Sequence, residues 1–217
     1  MNCIVTAGPT FEPLDDVRRL TNFSTGRLGT ELANFLAARG HTVTLLLGAM
    51  ATHAGERKVP TLKYFTSTAD LRTKLKSLSG KKVDAIFHAA AVSDFAFGKV
   101  FAESKPGNFV ALKTTKKIST RRGALLVELL PTPKIIAELR GWFRRATIVG
   151  WKYEADGDRE ATLRAARRQM TDCSTNACVA NGPAYGRGFN LVTAKEQRHF
   201  RSMKELFSAL EQLPASD

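Results

Sequence analysis

The chain has 217 residues, enough for one domain with a hydrophobic core of its own, and a single domain over 1–217 is expected. With 43% hydrophobic and 24% charged residues, it has globular composition, which excludes wholesale disorder and low-complexity architectures. The balance of 33 Lys and Arg against 20 Asp and Glu, a formal +13, favours anionic partners: nucleic acid, a membrane surface or phosphorylated small molecules.

Taken in chain order, short runs of aliphatic and β-branched residues at 3–6, 42–47, 62–65, 83–88, 125–130, 146–151 and 177–180 read as buried, nearly all-apolar strands. Helical stretches lie between them. Residues 26–39 place Leu28, Leu32, Phe35 and Leu36 at helical spacing and stop at Gly40. Ser67 caps 68–78, where Leu71, Leu75 and Leu78 form a stripe. Residues 133–144 open on Pro133 and turn Ile135, Ile136 and Leu139 inward. Helices at 158–170 and 203–213 complete the set. The alternation predicts an α/β fold of Rossmann-like kind, a mostly parallel sheet with helices on both faces, because parallel strands need crossover connections. Ligands of such sheets bind beyond the carboxyl ends of the strands, near the point where strand order reverses. The stretch 99–123 breaks the rhythm with Pro106, Gly107 and a basic run from Lys113 to Arg122, and reads as a hairpin or a mobile arm.

Cys3, Cys173 and Cys178 form no C-x-x-C pair, so neither a disulfide framework nor a zinc ribbon is supported and a reducing compartment is expected. The start MNCIVTAG enters a strand-like run without the pattern of a signal peptide. No apolar run reaches the roughly 18 residues that span a bilayer. A cytoplasmic location without a membrane partner is the expectation.

The first strand ends in Thr6-Ala-Gly-Pro-Thr10, but G-x-G-x-x-G is absent and the loop to the next helix is too long for that motif's tight turn. A P-loop is absent as well, and none of Tyr64, Tyr153 and Tyr185 has the Lys four residues on that a short-chain reductase requires. The long loop carries Arg18 and then Asn22-Phe-Ser-Thr-Gly26 at a helix start. Free N–H groups, hydroxyls and the positive helix end there suit a phosphate or carboxylate; Ser24 or Thr25 serving only as a helix cap is the other reading. After the strand at 83–88, Ala89, Ala90 and Ala91 allow close approach to the backbone, and Asp94 can meet a ribose hydroxyl or a metal. His88 reads as a hydrogen-bonded strand-end histidine ahead of a catalyst. Lys117 lies in the arm, where a basic run is either a solvated face or a closure over phosphates. Trp151 follows a strand and either stacks on a base or packs beneath the sheet.

In series, these segments resemble the phosphopantothenate-cysteine ligase (phosphopantothenoylcysteine synthetase) family of coenzyme A biosynthesis. The matching residues are Thr6-Ala-Gly-Pro-Thr-Phe-Glu-Pro-Leu-Asp15, Val17-Arg18, Asn22-Phe-Ser-Thr-Gly26 with Gly29, Ala89-Ala-Ala-Val-Ser-Asp94, Lys117-Ile118, Thr132-Pro-Lys134, Val149-Gly-Trp151 and Val179-Ala-Asn181. The resemblance implies a stand-alone ligase domain joining 4'-phosphopantothenate and L-cysteine through an acyl-nucleotide, with CTP or ATP as nucleoside triphosphate co-substrate, Mg²⁺, no flavin, and a homodimer. It gives catalytic roles to Asn22, Arg18 and Lys117. Nucleotide contacts fall to Gly8, Ser24, Gly26, Ala89, Ala90, Ala91, Asp94, Pro133, Lys134, Ile135, Ile136 and Trp151, the last replacing a usual Phe; no metal ligand is assigned. The chain departs from the pattern at Asp16, Arg27 and Ser119. It also lacks the family's nucleotide-binding Lys residues on the helix before Val179, where Arg167 or Arg168 stands in. A nucleotide- or nucleic-acid-binding module without ligase chemistry is the alternative that +13 keeps open.

Overall fold

Aliphatic strands that alternate with amphipathic helices satisfy their backbones and bury both sheet faces when the strands run parallel. The computed structural model describes residues 1–112, 117–119, 121 and 123–213. In chain order its elements are β1 (Asn2–Ala7), β2 (Phe11–Pro13), β3 (Arg19–Thr21), α1 (Arg27–Ala38), β4 (Thr42–Gly48), β5 (Thr61–Phe65), α2 (Thr68–Ser77), β6 (Ala85–His88), β7 (Phe95–Lys105), β8 (Asn108–Ala111), β9 (Leu125–Pro131), α3 (Ile135–Trp142), β10 (Thr147–Tyr153), α4 (Arg159–Cys173), β11 (Ala177–Asn181), β12 (Phe189–Thr193), β13 (Gln197–Phe200) and α5 (Met203–Glu211).

An eight-stranded sheet has the order β13-β12-β11-β10-β6-β1-β4-β5. From β5 to β11 all pairings are parallel, and β12 and β13 add an antiparallel edge. The chain winds outward from β1 to β4 and β5, then returns to β6 on the other side of β1. That reversal makes the carboxyl ends of β1 and β6 the switch point where a ligand crevice opens.

Alternating side chains feed two main cores. On one face Val5, Leu45 and Phe87 meet Leu32 and Leu36 of α1 and Leu206 of α5. On the other, Ile4, Leu46 and Ile86 meet Leu71 and Leu75 of α2 and Leu139 of α3. The α1, α2 and α3 stripes are therefore those expected from spacing. Gly29 sets how closely α1 approaches β1: a Cβ there would lie 2.6 Å from Ala7 Cβ and 3.0 Å from the Thr6 carbonyl oxygen.

Two parts differ from the sequence reading, and a third follows one of its alternatives. The run at 125–130 was expected to be buried in the main sheet, but β9 belongs to a separate three-stranded sheet, β8-β7-β9. Its Leu126, Leu129 and Leu130 stay 52%, 48% and 46% exposed, because composition marks a strand as apolar without saying whether anything covers it. The irregular stretch is in part a regular hairpin, β7 and β8 turning at Gly107 with φ +77°; Lys113, Lys116 and Arg122 of the basic run lie outside the described residues. Finally, the long first loop contains the β2–β3 hairpin, whose three-residue strands carry no periodicity to read. Tertiary contacts hold it: the Phe11 N–H donates to the Thr66 carbonyl at 3.0 Å, and the Arg19 guanidinium lies over the Phe11 ring.

Gly29→Ala is expected to destabilise the fold by about 1–3 kcal/mol, the usual range for overpacking a tight contact, read as a lower urea midpoint at unchanged slope.

Candidate functional site

Beyond the ends of β1 and β6 the two chains stay zipped together. The Ala89 N–H donates to the Thr6 carbonyl at 3.1 Å, Ala91 N–H to Gly8 O at 3.0 Å, and Thr10 N–H to Ala91 O at 3.1 Å. Buried hydroxyls extend the zip: Thr6 Oγ1 accepts the Ala90 N–H at 3.1 Å, Thr10 Oγ1 accepts the Ser93 N–H at 2.9 Å, and Thr10 Oγ1 lies 3.2 Å from Thr68 Oγ1. Asn22 rests on this platform, its Nδ2 donating to the carbonyls of Ala91 at 3.2 Å and Val92 at 3.3 Å while the side chain stays exposed. Gly8, Asn22 and Ala89 to Ala91, far apart in sequence, thus converge on the switch point.

The start of α1 is bare. Its N-cap is Gly26 at φ +79°, and no side chain caps it; Ser24 and Thr25 are therefore not N-caps, although Thr25 Oγ1 accepts the Arg27 N–H at 3.3 Å. The free N–H groups of a first turn, with the positive end of the helix dipole, attract an anion. A cavity of about 220 Å³ opens there, lined by Ser24, Gly26, Gly29, Ala89 and Met203 among others. Trp151 packs into the core on the α1 and α5 face, and strand alternation puts Asn181 on that face too. Trp151 Nε1 and Asn181 Oδ1 are both buried without a hydrogen-bond partner. A larger cavity of about 790 Å³ lies along β13 and α5 and includes none of the expected site residues.

The second group of expected contacts sits across the sheet. Ile135 and Ile136 are 1% and 8% exposed in the α2–α3 core, turned inward as their spacing predicts, so their backbone is what can face a ligand. Pro133, Lys134 and Asp94 are exposed, and the Thr132 N–H donates to the Asp94 carbonyl at 3.0 Å, drawing these residues together. The α3 N-terminus, capped at Lys134, also has no side-chain cap. Arg167 is committed elsewhere, its Nη2 donating to Gln197 Oε1 at 2.8 Å. The α4 side chain that reaches this region is Gln169: an added Cβ on Gly150 would lie 2.3 Å from Gln169 Nε2 and 2.6 Å from Ile136 Cδ1. Gln169 Nε2 is buried without a partner. The sequence reading passed over it because an amide among arginines carries no charge signal.

Arg18 forms a clamp. Its Nε donates to Asp15 Oδ2 at 3.1 Å and its Nη2 to Asp15 Oδ2 and, at 2.8 Å, to the Ile118 carbonyl. Ile118 N–H returns a bond to Asp15 Oδ2 at 3.0 Å. The guanidinium and these N–H groups hold the Asp15 carboxyl far below the usual carboxylate range. Lys117 is thereby tethered next to Arg18 with its side chain exposed.

His88 is 6% exposed, with Nδ1 2.9 Å from Thr6 Oγ1. Burial pushes its pKa down to about 4, so the ring is neutral near pH 7. The three cysteines are buried and free; burial pushes Cys178 up to about 12 and Cys3 to about 11, so none is a nucleophile. Among the described residues no group of three or more His, Cys, Asp or Glu is placed to hold a metal, and no helix is long and apolar enough to cross a membrane.

A model of the DNA/pantothenate metabolism flavoprotein C-terminal domain matches residues 1–206. The bifunctional coenzyme A biosynthesis protein CoaBC of Thermococcus kodakarensis is 32% identical over 181 residues, 82% of this chain and 40% of that protein. The crystal structure of the DNA/pantothenate metabolism flavoprotein from Streptococcus pneumoniae superposes with a TM-score of 0.83 at 24% identity, covering 98% of this chain and 97% of that one. A Cab2 mutant in complex with phosphopantothenate-cysteine shares the fold with a TM-score of 0.73 at 20% identity, covering 96% and 84%. The chain spans 40 to 49% of the length of the first curated relatives it matches.

Two outcomes follow from this geometry. His88 is neutral in the fold down to pH about 4, whereas an unfolded His protonates below about 6.5, so the unfolded state binds the extra proton between these values. Stability should fall by about 3 kcal/mol as pH drops from 6.5 to 4 and be independent of this group above 6.5; His88→Asn should flatten that part of a urea-denaturation profile. Asp15→Asn should release the 117–118 segment, read as faster amide exchange at Ile118 with the exchange of β1 unchanged.

Proposed function

Because the chain belongs to the family of the DNA/pantothenate metabolism flavoprotein C-terminal domain, we propose that it is a phosphopantothenate-cysteine ligase. The carboxylate of 4'-phosphopantothenate attacks the α-phosphate of CTP or ATP, releasing pyrophosphate and leaving an acyl-nucleotide. The cysteine amine then attacks the acyl carbon, the nucleoside monophosphate leaves, and the amine sheds a proton as the amide forms. The observation that carries this reading is Asn22, held by Ala91 and Val92 carbonyls at the switch point between two uncapped helix N-termini, α1 and α3. An activating step that brings 4'-phosphopantothenate and a nucleoside triphosphate together uses two anion sites with a polar group between them.

Each residue has a role in this scheme. The two Nδ2 contacts orient the Asn22 carboxamide, which donates an N–H to the oxyanion that develops on the acyl group. The bare α1 turn with Gly8, Ser24 and Gly26 takes a phosphate group. Ala89, Ala90 and Ala91 let the nucleotide approach the backbone, and Asp94, Pro133, Lys134 and the Ile135 and Ile136 backbone face it from the α3 side. Lys117 offsets triphosphate charge, and Arg18 fixes the approach of Lys117 through Ile118 while leaving Nη1 for substrate. Mg²⁺ on the triphosphate would supply charge neutralisation. The single exposed carboxylate of Asp94 fits a cation held mainly by phosphates and water. Trp151 and Asn181 present unpartnered polar atoms on the α1 face that a bound substrate can satisfy.

The exposed side chains of Phe95, Val110, Leu126, Leu129 and Leu130 on the three-stranded sheet support a homodimer in which a second copy covers them. The substrates and the reduced, buried cysteines fit a cytoplasmic enzyme.

Protein incubated with 4'-phosphopantothenate, cysteine, Mg²⁺ and CTP or ATP should release pyrophosphate; no release with either triphosphate overturns the ligase reading, and a salt-sensitive shift of DNA in its place selects the nucleic-acid module. Asn22→Ala should still release pyrophosphate but accumulate the acyl-nucleotide, with amide formation slowed about a hundredfold or more. In sedimentation the wild type should run as a dimer and Leu126→Glu/Leu130→Glu as a monomer.

A further inference from the structure

We propose that His88 is a positioning residue for the reacting centre, acting through the Thr6 hydroxyl on the Ala89–Ala91 platform that carries Asn22; this rests on the ligase reading. His88 ends β6, in register with Thr6 of β1 and Gly150 of β10, and is almost wholly buried beside Thr6, which has no exposure at all. Thr6 has one hydroxyl proton. Its oxygen accepts the Ala90 N–H at 3.1 Å, and among the described residues its other polar contact is His88 Nδ1 at 2.9 Å. We assign the hydroxyl proton to Nδ1, which makes Nδ1 the acceptor and places the ring proton on Nε2, because among the described residues this is the arrangement that gives the buried Thr6 proton an acceptor. The imidazole thereby fixes the rotor of Thr6, and Thr6 fixes the amide of Ala90.

The next residue, Ala91, is gripped by β1's extension through its N–H to Gly8 and its carbonyl to Thr10, and the same carbonyl orients Asn22 Nδ2. Thr6 holds the Ala89–Ala90 peptide and Gly8 the Ala90–Ala91 peptide, so Ala91 is fixed from its N-terminal side and its own carbonyl, in the Ala91–Val92 peptide, is aimed at the carboxamide. The two Asn22 bonds, at 3.2 and 3.3 Å, are long, so a small rotation of that peptide is enough to lose them. An apolar strand end would fill the same space, as Ile4, Ile86 and Ile148 do on this face, but would leave the Thr6 proton without an acceptor. His88 touches no reacting atom in this scheme, and its effect is carried by Asn22.

The experiment compares wild type, His88→Leu, His88→Asn, Asn22→Ala and the double variant His88→Leu/Asn22→Ala in single turnover, following pyrophosphate release and amide formation separately. Asn puts Oδ1 where the ring has Nδ1, so it retains the acceptor without the ring. The expected result is an amide-forming step slowed about ten- to hundredfold in His88→Leu, the range for a misaligned catalytic group, with recovery in His88→Asn. His88→Leu should add nothing further in the Asn22→Ala background. Equal slowing of both steps, no rescue by Asn, or effects that multiply in the double variant would each overturn the proposal. Amide exchange gives an arm independent of activity: Ala90 should lose protection in His88→Leu and regain it in His88→Asn, and unchanged protection rejects the relay even in a protein that forms no amide. Should His88→Leu fail to fold, Thr6→Val and Thr6→Ser carry the same comparison, with loss expected for Val and retention for Ser. Failure of the wild type to release pyrophosphate would reject the ligase reading and leave the exchange result to decide the relay.

Discussion

The carboxyl edge of the sheet depends on one constraint: two backbone segments that have left the sheet must remain paired with each other. β1 and β6 are neighbours in register from Cys3 and Ala85 to Thr6 and His88, where the regular ladder ends. Ala91 bridges back to Gly8 and Thr10, and Pro9 and Ala91 form an isolated parallel bridge. Buried threonine hydroxyls satisfy the groups that regular pairing no longer reaches. Unpaired polar groups in a dry place are costly, so the zip is rigid, and a rigid zip can present Asn22 in a defined orientation to whatever occupies the crevice.

Charge is distributed around this edge in two ways. Several arginines are structural: Arg140 donates to the carbonyls of Phe143, Ala146 and Ser174 and to Asn176 Oδ1, closing the ends of α3 and α4, and Arg72 forms a fork with Glu138. Arg18 belongs to both groups, since the Asp15 carboxylate that neutralises it also ties Ile118 to the β2 and β3 hairpin. One ion pair thus serves as a mechanical tether for the segment at Ile118. Part of the +13 is accounted for by carbonyl capping, which leaves a protein's net charge positive without creating a patch for a polyanion.

How much of this was legible in advance varies with the range of the interaction. The helix stripes of Leu32 and Leu36, of Leu71 and Leu75, and of Ile135 and Leu139 are local periodicities, and each is buried as spacing predicts. Gly8, Asn22, Ala89, Ala90 and Ala91 were readable as loop residues after strands, the position where open parallel sheets bind ligands. Ile136 was readable as an inward-facing residue of α3, and it is buried. Gln169 was not readable in its role. Gln169 carries no charge and becomes interesting only because Gly150 leaves space beneath it.

Composition and periodicity determined the class of fold, the order of its parallel units and the loops that had to meet at their carboxyl ends, because strand and helix formation depend on neighbours within a few residues. Tertiary structure alone decided that the Leu-rich run of β9 lies uncovered on a side sheet, that Trp151 and Ile136 face opposite sides of the main sheet, and that His88 lies within hydrogen-bond distance of Thr6. These outcomes depend on which distant segments approach, and residues 82 apart, as Thr6 and His88 are, acquire a hydrogen bond only when the sheet sets them side by side.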